Sequence, residues 1–125
     1  MSVRVSVPGS VVVLTVDQRS SRTGPDRVPA TIEALGRGRP RVLRIVGGAA
    51  YALLNVSLWG GCFLGIGLRM WDVAAGVVLA SEAGLDVRLW DEGASIHLIA
   101  GSADDLRELA PIVEAFGSSR VVRPV

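Results

Sequence analysis

The chain has no lysine: all 13 of its basic residues are arginine. That excludes Schiff-base catalysis and the phosphate-gripping lysine of a P-loop. Cysteine and histidine occur once each, as Cys62 and His97, so one chain cannot assemble a His/Cys zinc cluster. Cys62, inside "GGCFLGIG", reads as a small hydrophobe. His97, inside the alternating "SIHLIAG", reads as a strand residue. A Ser-His-Asp triad through it has no G-x-S-x-G elbow to support it. Excess charge is lacking too. The net charge of +1 gives no nucleic-acid footprint. The apolar start "MSVRVSVPGSVVVLTV" is interrupted by Pro8 and Gly9, against a secretory signal, and the expected location is cytoplasmic.

What is present is half apolar and one-fifth charged, over 125 residues. That is the size and composition of a single folded domain spanning 1–125. One run, Ile45–Leu68, carries no charge and lies between Arg44 and Arg69. By length it is a membrane-span candidate. Gly60-Gly61 divides it, Asn55 and Ser57 sit within it, and "CFLGIG" reads as a short buried strand, so the expectation is against a membrane.

Strand-like runs are "SVVVLTV", "RVLRIV", "CFLGIG", "LDVRLWD" and "SIHLIAG". Helix-like segments are "VPATIEALGRG", "GGAAYALLNVSLW", "WDVAAGVVLASEAG" and "SADDLRELAPIVEAFG", with "DQRSSRTGPDR" a loop. Gly84 is placed to end the third helix, and Ser102 to cap the fourth, with Asp104 and Asp105 in its first turn. The order β-α-β-α-β-α-β-β-α predicts an α/β layered sheet of about five strands, mostly parallel, with flanking helices.

Asp72 follows a strand and a short turn and opens a helix, the position where open α/β sheets bind ligands. A carboxylate there can cap the helix or coordinate a hard cation such as Mg²⁺, and the residues alone leave both open.

The segment "WDVAAGVVLASEAG" resembles the C-terminal signature of the inositol monophosphatase family: Trp-Asp-x-Ala-Ala-Gly, an apolar run, then Glu-Ala-Gly. Trp71, Asp72, Ala74, Ala75, Gly76, Glu82, Ala83 and Gly84 match it. Upstream, "RIVGGAAYALLNV" resembles the family's Arg-x-x-Gly-Ser/Thr-Ala-Ala segment. The likeness runs from the first strand to the last helix and implies the C-terminal half of that family's sandwich fold.

It also implies a magnesium-dependent phosphomonoesterase acting on inositol phosphates or related sugar and nucleotide phosphates, by metal-assisted attack of water without a phosphoenzyme. Asp72 would be a metal ligand; Gly47, Gly48 and Ala49 would lie at the substrate; and Gly65 would stand where the family places a substrate-contacting acid. Trp71 and the small residues behind it would pack the helix on the sheet, and Glu82 would serve the helix end.

Three features depart from the family pattern. The Gly-Glu-Glu and Asp-Pro-Leu-Asp-Gly-Thr segments that supply the other metal ligands do not occur in these 125 residues, and Asp17, Asp26 and Glu33 are isolated. Gly48 replaces the Ser or Thr, and Gly65 the acid. One carboxylate cannot hold a two-metal site, so no catalytic residue is assigned and the isolated chain is expected to be inactive. The alternatives are a fragment or truncated reading frame of such an enzyme, a non-catalytic remnant or interaction domain, and, third, a single-span membrane protein. A half-sandwich should expose apolar surface, so the expected partner is a second copy or a separate N-terminal half.

Overall fold

The computed structural model describes residues 11–16, 24–38, 40–93, 95–116 and 121–122. In chain order the elements are β1 (Val11–Val16), α1 (Gly24–Arg37), β2 (Val42–Ile45), α2 (Ala49–Trp59), β3 (Cys62–Leu68), α3 (Met70–Glu82), β4 (Asp86–Asp91), β5 (Ile96–Gly101), α4 (Ala103–Glu114) and β6 (Val121–Val122). One sheet holds all six strands in the order β2-β1-β3-β5-β4-β6. The expected α/β layers are present, and Ser102 caps α4 in a reciprocal capping box with Asp105.

The strand directions are mixed rather than mostly parallel. β1 pairs in parallel with β2 and β3, while the pairings of β3 with β5, β4 with β5 and β4 with β6 are antiparallel. The cause is a single insertion. β4 and β5 are joined by a turn too short for a crossover, so they must pair as a hairpin. β5 then enters the sheet between β3 and β4. β1 to β4 still all point the same way, as the alternation of strand and helix requires. Two further differences concern boundaries: α1 begins at Gly24, with Pro25 pre-set in its first turn, so Gly24 to Arg27 are helix rather than loop. The two-residue β6 was not expected.

β3 is the axis of the packing, with all seven of its residues buried. On one face Val13, Phe63, Leu68, Leu98 and Ala100 meet Leu53 and Val56 of α2 and Val73, Val77 and Ala80 of α3. On the other, Val12, Leu14, Leu64, Ile66 and Ile99 meet Leu106, Leu109 and Val113 of α4, with Leu35 of α1 alongside. Each such large side chain contributes roughly 1.5–3 kcal/mol by burial. The uncharged run Ile45–Leu68 is divided between β2, α2 and β3, and among the described residues no helix is long and apolar enough to cross a membrane.

α2 and α3 touch at Gly76. A Cβ there would stand 2.7 Å from Leu53 Cδ1 and 2.9 Å from Leu53 Cβ, so only glycine admits this approach. Gly36 of α1, by contrast, has open space where a Cβ would go. Gly76→Val should therefore destabilise the fold by about 1–3 kcal/mol through overpacking. Gly36→Ala should stabilise it by about 0.5–1 kcal/mol through helix propensity. Urea unfolding of the two variants checks both signs; a neutral Gly76→Val would mean that the helices are not in contact there.

Candidate functional site

Because β2 and β3 both run parallel to β1 and flank it, the helices that follow them start at the same edge of the sheet. That edge is the carboxyl end of the strands. The turn into α2 is tied to β1: Val46 N–H donates to the Leu14 carbonyl at 3.0 Å, and Thr15 Oγ1 donates to the Val46 carbonyl at 2.7 Å. Gly47 and Gly48 are exposed, and Ala49 is buried as the first residue of α2. Gly48 is the N-cap, with φ of 80°, left-handed backbone that disfavours the Ser or Thr of the family pattern. With no side-chain cap, the first N–H groups of α2 face outward from this turn.

Asp72 lies in the first turn of α3, exposed, at the same edge. Its backbone N–H donates to the Arg69 carbonyl at 3.0 Å. Arg69 is the N-cap, and α3 has no side-chain cap hydrogen bond, so the capping reading of Asp72 reduces to a favourable place in the helix dipole. The structure thus brings Gly47, Gly48, Ala49 and Asp72 to one edge.

Gly65 is elsewhere: buried in the middle of β3. A Cβ there would meet Leu68 Cδ1 at 2.3 Å and Phe63 Cε2 at 2.7 Å. Apolar side chains fill the place where the family would put an acid. Trp71 also differs from expectation. It is 73% exposed, with the Arg69 guanidinium 5.2 Å over its ring, and α3 packs instead through Val73, Gly76, Val77 and Ala80. Glu82 is the exposed last residue of α3, whose end is a Schellman arrangement. Gly84 N–H donates to the Ser81 carbonyl and Leu85 N–H to the Ala80 carbonyl, with Gly84 at φ of 85°.

A buried polar network was missed by the sequence reading. His97 is fully buried on β5, and its Nδ1 accepts the Gly67 N–H at 3.0 Å. The imidazole proton is therefore on Nε2, which donates to Glu92 Oε1. Arg27 Nη1 donates to the same oxygen at 2.7 Å, and its guanidinium lies 4.8 Å over the Phe116 ring. His97 and Glu92 sit on either side of the β4–β5 turn, which hairpin spacing could have suggested; nothing local in the sequence points to Arg27.

Gly67 is the extra residue of a bulge. Gly65 pairs with Leu98 and Leu68 with Ile96, so β3 advances three residues while β5 advances two. Gly67 has φ of 70°, as such a bulge needs. The bulge rotates Leu68 onto the α2–α3 face, directly over Gly65.

Among the described residues no three His, Cys, Asp or Glu side chains gather into a metal-holding group. Asp72 alone does not fit a resident magnesium.

The fold is that of half an inositol monophosphatase. The chain superposes on an inositol monophosphatase from Anabaena (Nostoc) sp. PCC 7120 with a TM-score of 0.65 and 22% identity, covering 88% of this chain and 46% of that one. It superposes on the extragenic suppressor protein suhB of Bartonella henselae with a TM-score of 0.65 and 21% identity, covering 87% and 45%. A second structure of that suhB protein gives a TM-score of 0.63 at 22% identity. The chain spans about half the length of these structures. No family model matches the sequence, and no curated protein matches it.

Burial lowers the pKa of His97 below its ordinary 6.5, outweighing the opposing pull of Glu92. Protonation would also place an N–H against the Gly67 N–H. The unfolded chain then takes up this proton at higher pH than the folded one. Stability should be full above pH 6.5 and should fall as pH drops toward the depressed folded value. Urea midpoints at pH 7.5 and 5.5 check this: the native chain should lose stability at the lower pH, and His97→Gln should flatten the difference, because the chain has no other histidine.

Proposed function

We propose that this chain supplies the C-terminal half of a magnesium-dependent phosphomonoesterase of the inositol monophosphatase kind, and that it is inactive until a separate half brings the other metal ligands. The observation that carries the reading is the convergence of Asp72 and the Gly47-Gly48-Ala49 turn at one sheet edge, in a fold matching 46% of an inositol monophosphatase. In this reading Asp72 contributes one ligand to a shared magnesium site. The α2 turn receives phosphate or hydroxyl oxygens on backbone N–H groups. No hydrolytic step belongs to this chain alone.

The outer faces of α2 and α3 support a covering half. Tyr51, Leu54, Leu58 and Trp59 on α2 and Trp71, Val78 and Leu79 on α3 are exposed. Side chains this apolar belong in an interface. The substrate class that this reading implies is a phosphorylated small molecule.

Reconstitution tests the reading. The chain is mixed with the separately produced N-terminal half of the Anabaena inositol monophosphatase, and phosphate release from inositol monophosphate is followed with Mg²⁺. Release should exceed that of either half alone, and Asp72→Asn should reduce it by about tenfold or more. A folded complex without release, or an Asp72→Asn variant equal to the native chain, favours a second reading. That reading is a non-catalytic remnant, which the closure of Gly65 by Phe63 and Leu68 supports.

The same apolar face predicts self-association of the chain when it is alone. Sedimentation velocity should show concentration-dependent oligomers, and the double variant Leu58→Lys, Val78→Lys should be monomeric. A monomeric native chain would remove the argument for a covering half.

A further inference from the structure

β2 is an end strand of the sheet. At its end, Val46 N–H points inward to the Leu14 carbonyl of β1. Backbone groups alternate in direction along a strand, so those of Val42 and Arg44 also face β1, and those of Leu43 and Ile45 face away. Among the described residues nothing pairs with these two outward N–H and two outward C=O groups. Val42 is 56% exposed and Ile45 65%. An open strand edge of this kind is a template for a further strand. A second feature lies beside it. Arg44 is in register with Val13 and so shares its sheet face, the one that packs against α2 and α3. Between α2 and this end of the sheet runs a groove of about 330 Å³, floored by Val11, Val13 and Val46 and walled by Ala52 and Val56. Arg44 is the one charged residue lining it, is exposed, and has no ion-pair partner among the described residues.

We propose that the β2 edge binds an extended peptide segment as an added antiparallel strand, with an acidic side chain opposite Arg44 and an apolar side chain two residues to either side of it. The chemistry follows from position. Arg44 lies between the two outward-facing residues, at a non-hydrogen-bonded pair, where side chains on neighbouring strands come closest. The residues two places before and after the acid share its face and stand opposite Val42 and Val46, at the groove. Main-chain hydrogen bonds supply the affinity of such an added strand, and its alternate side chains supply the selectivity. A second copy of β2 is a poor occupant. The antiparallel register that joins Leu43 of one copy to Ile45 of the other sets the two Arg44 side chains against each other. The proposal does not involve Asp72, and its assay reads binding rather than phosphate release, so it stands or falls apart from the phosphatase reading.

The probe is a fluorescently labelled, capped peptide of sequence Thr-Leu-Thr-Glu-Thr-Leu-Thr, titrated with the chain while its anisotropy is followed. Saturable binding is expected, and amide hydrogen exchange in the saturated complex should slow at Leu43 and Ile45. Replacing the peptide's glutamate by arginine should weaken binding at least about fivefold, and Arg44→Glu in the chain should reverse that preference. N-methylation of the two threonines beside the glutamate, whose N–H groups face β2, should abolish binding. N-methylation of the glutamate, whose N–H faces away, should leave it nearly unchanged. Ile45→Pro removes an outward donor and no bond to β1, and should lose at least about tenfold in affinity. If that variant does not fold, the N-methylated peptides decide the same point. Absence of saturable binding, equal affinity for the glutamate and arginine peptides, or indifference to N-methylation of the inner threonines would overturn the proposal.

Discussion

The hydrogen bond from Gly67 N–H to His97 Nδ1 is the contact on which the candidate site rests. It holds a one-residue bulge in the most buried strand of the sheet, and the bulge reverses which face the end of β3 presents. Leu68 is thereby turned toward α2 and α3, over Gly65, and the chain leaves β3 toward Arg69 and the start of α3. The position of Asp72 follows from that exit. The same bulge closes the space above Gly65. A buried backbone N–H that lost its acceptor would cost about 1–3 kcal/mol, which is why a neutral imidazole, held by Glu92 and Arg27, is kept inside the α1–α4 layer.

The two helical layers are built on different principles. On the α1–α4 side several polar groups are paired across elements: Arg27 with Glu92, Arg41 with Glu108, His97 with Gly67. On the α2–α3 side the helices carry apolar residues around most of their circumference, and no basic or acidic residue lies in the first or last turn of α2. A helix apolar on both faces belongs between two layers rather than outside one. The asymmetry agrees with the proposal of a covering half over α2 and α3.

Much of this was legible in the sequence because it is local. Strand and helix alternation, the end of α3 at Gly84 and the Ser102 cap depend on residues within a few positions of each other. Asp72 could be placed at a helix start for the same reason. What was not legible depends on register between distant segments. The insertion of β5 between β3 and β4 is a pairing of strands about 30 residues apart, and no local pattern encodes it. The bulge appears in "GIGL" only as one glycine among several. The family resemblance implies a packing role for Trp71, yet its place on α3 is set by which helix face meets the sheet. Proline-led helix starts fall between these cases: Pro25 was a usable signal, and Pro29 drew the expected start of α1 too late.

The separation of structural from chemical roles at Asp72 follows from the same geometry. Its carboxylate is exposed, and α3 has no side-chain cap hydrogen bond, so its structural contribution is the charge–dipole interaction at a helix start, about 0.3–1 kcal/mol. That is worth at most a few-fold in any equilibrium. A metal ligand in a shared site carries far more, because its loss removes both charge and coordination from the ion. The size of the effect at Asp72 therefore distinguishes the inherited role from the local one. A helix-dipole carboxylate yields a small change in stability and none in chemistry, whereas a ligand yields a large change in chemistry and almost none in stability.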